Sequence, residues 1–132
     1  MNLLLLHDEH TVCRLPPDSQ LPEWARAPGD DFISITRTTE ELSIICPTRR
    51  VPSDVGSRSD GWRCLKVQGP LDFSLIGVLH SITTPLAHAK LSLLAVATFD
   101  TDYVLIRSAD LTSARRALTE AGHRVMDAPA GQ

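Results

Sequence analysis

The sequence predicts an α+β fold made of two ferredoxin-like half-domains, each ordered β-α-β-β-α-β with an antiparallel sheet covered by helices on one face. Three observations predict it. Along residues 61–128 the hydrophobic period switches in the order strand, helix, strand, strand, helix, strand. Residues 1–60, linker included, run through a looser version of the same order. The two halves also echo each other: Thr38-Thr39-Glu40-Glu41-Leu42-Ser43-Ile44-Ile45 parallels Thr98-Phe99-Asp100-Thr101-Asp102-Tyr103-Val104-Leu105, a strand ending at Thr, an acidic turn and a returning apolar strand.

In the first half, Leu3 to Leu6 and Val12 to Leu15 read as strands joined by the polar turn His7-Asp8-Glu9-His10. Leu21 to Ala27 reads as a short helix with Pro22 near its first turn. Phe32 to Thr36 and Leu42 to Cys46 form a hairpin around Arg37 to Glu41. Pro47 to Gly61 carries Pro, Ser, Arg and Asp without periodicity and reads as the linker.

The second half is clearer. Trp62 to Val67 alternates as a half-buried strand should, and Gln68-Gly69-Pro70 breaks it. Leu75, Ile76, Val78, Leu79, Ile82 and Leu86 then fall on one helical face, with Asp72 and Ser74 upstream as cap candidates and Thr83-Thr84-Pro85 expected to end or kink the helix. Leu91 to Ala97 and Asp102 to Ile106 are strands around the turn Thr98 to Thr101. Asp110 caps a second helix through Leu111, Ala114, Arg115 and Leu118, and Gly122 stands where a helix commonly ends in the left-handed conformation. His123 to Met126 is the last strand, before a tail expected to fray.

Composition narrows the function classes. The chain has 132 residues, 42% hydrophobic and 22% charged, an ordinary globular balance. Its net charge of −3 comes from interspersed signs, which argues against a nucleic-acid surface. Leu3 to Leu6 is far too short an apolar run for a membrane span and lacks the flanks of an export signal, so the expected location is the cytoplasm, with no membrane partner. Cys13, Cys46 and Cys64 are an odd number, far apart and each in an apolar run, which predicts buried thiols. His7, His10 and Cys13 have a spacing a metal could use, but no second cluster completes a ligand set, so no metal and no cofactor is expected. Asp100-x-Asp102 is too short to carry a metal motif, His80 and His88 flank the first long helix, and no nucleophile elbow, P-loop or dinucleotide fingerprint is present. A catalytic role is therefore not expected.

Two segments resemble a known family. Gly69-Pro70-Leu71-Asp72-Phe73-Ser74-Leu75-Ile76-Gly77-Val78-Leu79 looks like the loop-to-helix signature of ACT domains, and Ala97-Thr98-Phe99-Asp100-Thr101-Asp102-Tyr103-Val104-Leu105 resembles the hairpin of the aspartate-kinase type. Residues 36–44 are similar to the first half of the bacterial two-ACT proteins, relatives of the CASTOR arginine sensors of animals. The resemblance implies a non-enzymatic regulatory protein that senses a small metabolite, an amino acid. It implies a site formed by Ser74, Leu75, Ile76, Gly77 and Val78 on one side and by Thr98, Phe99, Asp100, Thr101 and Asp102 on the other. Leu75 stands where the arginine sensors carry an acidic contact, which argues against arginine itself. The residue types suit a zwitterion: a helix start offers N–H groups to a carboxylate, Gly77 lets a ligand approach the backbone, and Asp100 and Asp102 offer charge to an ammonium. Output then passes through a homodimer or an effector protein. The rival reading is an ACT-like protein-interaction module without a ligand.

Overall fold

The computed structural model describes residues 1–26, 28, 29, 31–69 and 76–129. Its elements are β1 (Asn2–Leu15), α1 (Glu23–Arg26), β2 (Ser34–Arg37), β3 (Leu42–Pro47), β4 (Arg58–Val67), α2 (Val78–His88), β5 (Leu93–Ala97), β6 (Asp102–Arg107), α3 (Leu111–Glu120) and β7 (Arg124–Asp127), with 3-10 turns at Thr48–Arg50 and Ser108–Asp110. The α+β class holds. The strands form a single sheet in the order β2-β3-β1-β4-β6-β5, all antiparallel, with β7 lying parallel to the first part of β1.

Three elements, β1, β4 and α2, differ most from their sequence reading. The expected pair of strands in residues 3–15 is one strand, because the polar run does not turn but bulges. From Leu5↔Leu65 to Glu9↔Arg63 four steps of β1 are matched by two of β4. From His10↔Trp62 to Val12↔Ser59 the surplus passes to β4, where Gly61 has φ +81°, the left-handed conformation of a glycine bulge. Accordingly β4 begins at Arg58, inside what reads as linker.

The other difference is α2, which runs through Thr83-Thr84-Pro85 to His88. Proline has no N–H, so the Ser81 carbonyl four residues earlier lacks its helical donor. His123 supplies one: its Nε2 lies 2.9 Å from the Ser81 oxygen. The cap candidates Asp72 and Ser74 lie outside the described residues, and Gly77, φ +79°, occupies the N-cap position of α2. Asp110 is at the N-cap of α3 but makes no side-chain capping bond there. Gly122 is left-handed, as its position predicts.

The odd-numbered residues of β1 face the helices. Leu3 and Leu5 join Leu65, Val67, Val104 and Ile106 beneath Ile82 and Leu86 of α2 and Ala114 and Leu118 of α3. Full burial of each Leu or Ile there contributes about 2 kcal/mol. Further along the same face, Cys13 packs with Leu42, Ile44 and Cys46 under α1. On the opposite face Leu4, Leu6, Val12, Phe32, Ile45, Trp62, Cys64, Leu94, Val96, Tyr103 and Leu105 form another cluster. His10 lies on that side, edge-on to Phe32, so it does not converge with Cys13, while His7 is exposed. All three cysteines are free and buried; burial pushes the Cys46 thiol up to about 11 and that of Cys64 to about 12. At neutral pH both are unreactive thiols.

Candidate functional site

The hairpin expected to form one side of the site is tied down by its two threonines. Thr98 N–H donates to the Thr101 carbonyl at 3.0 Å, and Thr98 Oγ1 donates to the same oxygen at 2.7 Å. Thr101, 4% exposed, donates its own Oγ1 to the carbonyl of Val67 at 2.6 Å. That bond fastens the β5–β6 turn to the end of β4, where the chain leaves the sheet toward α2. The first hairpin is built the same way, with Thr38 N–H donating to Glu41 O and the Thr38 hydroxyl accepting from the Glu40 and Glu41 amides. The sequence echo therefore has a physical basis: a Thr in each case closes a turn that contains no glycine.

Around this junction the expected residues divide. Ser74 and Leu75 lie outside the described residues. Ile76 is 97% exposed and Phe99 79% exposed, large apolar side chains presented to solvent on the two segments. Gly77 has open space where a Cβ would stand, and Ser81 N–H makes the first helical bond back to its carbonyl. The amides of Val78, Leu79 and His80 therefore precede the intrahelical ladder of α2, at the positive end of its dipole. Asp100 is exposed at the turn and Asp102, half-buried, opens β6; among the described residues neither is in an ion pair. Burial pushes the nearby Tyr103 hydroxyl up, reinforced by Cys64 and Asp100.

What can this arrangement do? It offers amide donors at the start of α2, carboxylates on the hairpin and an exposed apolar side chain on each segment, which is binding chemistry. Among the described residues no three His, Cys, Asp or Glu side chains are grouped to hold a metal.

Comparison with known proteins adds the family. The model for the ACT domain matches residues 57–120, and a model for a separately named N-terminal domain matches residues 8–54. The crystal structure of protein Atu0741 from Agobacterium tumefaciens is 37% identical, covers 99% of this chain and 96% of its own, and superposes with a TM-score of 0.89. The chain belongs to the ACT domain family. A Vibrio cholerae protein described as of unknown function and possibly a transport protein has the same fold, at 16% identity and TM-score 0.73 over 91% of this chain and 88% of its own. So does the regulatory subunit of aspartate kinase from Thermus thermophilus in its ligand-free form, at 12% identity and TM-score 0.62, covering 92% and 98% of the two chains. No curated protein matches. The ACT match begins just before β4 and takes in α2, the β5–β6 hairpin and α3, so the candidate site lies wholly within it.

The sequence reading missed His123 and Asp31. Asp31 is bonded by Arg50 Nε at 2.6 Å and by Arg49, and these bonds outweigh burial to hold its carboxyl below the usual range. Arg49-Arg50 thus fastens the segment entering β2 to the turn after β3. A basic pair between Pro47 and Pro52, in what reads as the linker, was the available signal, but only the fold supplies its partner.

Proposed function

We propose that this ACT protein is a non-catalytic cytoplasmic sensor of a small metabolite, an amino acid. The ligand is held between Ser74, Leu75, Ile76, Gly77 and Val78, leading into the start of α2, and Thr98, Phe99, Asp100, Thr101 and Asp102 of the β5–β6 hairpin. The observation that carries the reading is the Thr101–Val67 hydrogen bond, which brings the hairpin turn beside the exit from β4. An amino acid's carboxylate then meets the first amides of α2, its ammonium meets Asp102, and Phe99 and Ile76 close over its side chain. In this reading residues 1–60 and 61–128 are two ACT-type units sharing β1 and β4, and output passes to a second copy or an effector protein. The exposure of Ile76 and Phe99 favours one alternative, an ACT module that binds a protein through these side chains without a metabolite.

A thermal-shift panel of the common amino acids tests the proposal. A ligand of the native state alone adds about 2.7 kcal/mol at a hundredfold excess over its dissociation constant, a rise of several degrees. Asp102→Asn should then keep the apo melting temperature and lose roughly 1–3 kcal/mol of affinity, less than for a fully buried pair because Asp102 is half-exposed. No shift across the panel, together with a co-purifying protein released by Phe99→Ser, would establish the alternative.

A further inference from the structure

On the face away from the helices the curling of the sheet brings its two outer strands to the same opening. A cleft of about 670 Å³ lies between β2 and β5, lined from Phe32 to Thr36 on one side and from Leu94 to Thr98 on the other, with Val12, Ser43 and Ile45 as its floor. Its volume is in the range of ligand pockets. Among the described residues no charged side chain lines it, so a free amino acid would leave both its charges unmatched there.

What the cleft offers is main chain. Thr98 and Thr101 form a hydrogen-bonded pair at the β5–β6 turn, and the alternation of an antiparallel ladder makes Ala97↔Asp102 and Ala95↔Val104 the pairs without mutual bonds. The N–H and C=O of Ala95 and Ala97 therefore point away from β6, off the edge of the sheet. Thr38 and Glu41 set the same phase in the first hairpin, so Ile35, opposite Ile44, turns its amide and carbonyl outward from β2. Both strands end the sheet, neither edge being paired among the described residues. Between the edges, Val12, Phe32, Ile45, Leu94 and Val96 provide apolar contact, and Ser34, Thr36, Ser43 and Thr98 provide hydroxyls. The Phe32 wall is braced by Tyr103, with ring centroids 4.4 Å apart, and by the Asp31–Arg50 ion pair just before it, both of whose side chains are 11% exposed.

We propose that this cleft binds a short, uncharged, extended peptide segment. Its backbone bonds to the edge of β5 through Ala95 and Ala97 and to the edge of β2 through Ile35. Because the five ladders from β2 to β5 are all antiparallel, β2 and β5 run in opposite senses, and one inserted strand is antiparallel to one edge and parallel to the other. Alternate side chains of the peptide rest on the apolar floor, and the others face solvent.

The probe is an acetylated and amidated Val-Ser-Val-Thr peptide, titrated into the full chain labelled with nitrogen-15. The amides of Ile35, Ala95 and Ala97 should shift together and exchange more slowly with solvent. A second peptide, N-methylated at one central amide, should bind about tenfold more weakly, because it lacks a donor while the protein is untouched. Ala95→Pro removes the same kind of bond from the protein side, at an edge position where proline spares the ladder. If that variant misfolds, the N-methyl comparison decides alone. Equal binding of the two peptides, or no shift at these amides at millimolar peptide, overturns the proposal. So do the same shifts on raising the protein concentration alone, which would make the occupant a second copy. Free leucine, tested in parallel, should leave Ile35 and Ala95 unmoved whether or not it binds near α2.

Discussion

His123 and Pro85 show how one side chain can complete another residue's backbone. A carbonyl only accepts, so the 2.9 Å contact with Ser81 O places a proton on His123 Nε2. His123 is 8% exposed, and removing its ring leaves a carbonyl of α2 without its donor. His123→Ala should therefore cost roughly 1–3 kcal/mol. Pro85→Ala restores an N–H at the position that normally bonds Ser81 O, so in the Pro85→Ala background the same substitution should cost clearly less. Urea denaturation of the four proteins gives the coupling, and strict additivity would show that the ring does not stand in for the missing N–H. None of this was legible in the sequence. A proline signals the end of a helix through its own local sterics, whereas its compensation comes from a residue 42 positions after Ser81. Thr98 and Thr101 were legible as turn residues because turn closure is local; the Thr101 bond to Val67 was not, for the opposite reason.

Among the elements, β1 and β4 carry the largest gap between reading and fold. His7-Asp8-Glu9-His10 looks like a turn by polarity, yet it contains no Gly, Pro or Asn to reverse the chain. Polarity here marks a bulge, with His7 exposed and His10 buried against Phe32. In β4 the signal was Gly61, read as the end of a linker and in fact the bulge that bends the strand. A Cβ at Gly61 would meet nothing within 4 Å, so substitution there strains only the backbone at φ +81°. Gly61→Ala should cost roughly 1–2 kcal/mol and Gly61→Asn distinctly less, since Asn tolerates the left-handed region. Thermal denaturation of the two variants checks the order. Equal losses would mean that the bulge is held by its neighbours and not by the glycine. The helices and the β5–β6 hairpin were readable because each follows its own period over enough residues, as Ile82 and Leu86, or Leu94 and Val96, do here.

For the molecule as a whole, the order of elements was legible but the sharing of strands was not, because hydrophobic pattern records which face is buried and says nothing about which strand lies alongside. β1 is inserted between β4 and β7, and Leu3 pairs with Val125 on one side and Val67 on the other. Arg124 and Ala128 also donate to the carbonyls of Met1 and Leu5. Residues 61–132 produced alone should therefore fail to fold, despite holding most of the ACT match and both long helices, and should gain native circular dichroism when residues 1–60 are added in trans. A well-dispersed amide spectrum from residues 61–132 alone would refute this. The same pairing sets a timetable. Of these seven strands the one synthesised first has the one synthesised last as its neighbour, so the polypeptide emerging from a ribosome holds an open sheet edge, rich in leucine, until β7 has been translated. During that interval Leu3 to Leu6 is an unpaired apolar edge of the kind that invites association with other chains before the fold is complete.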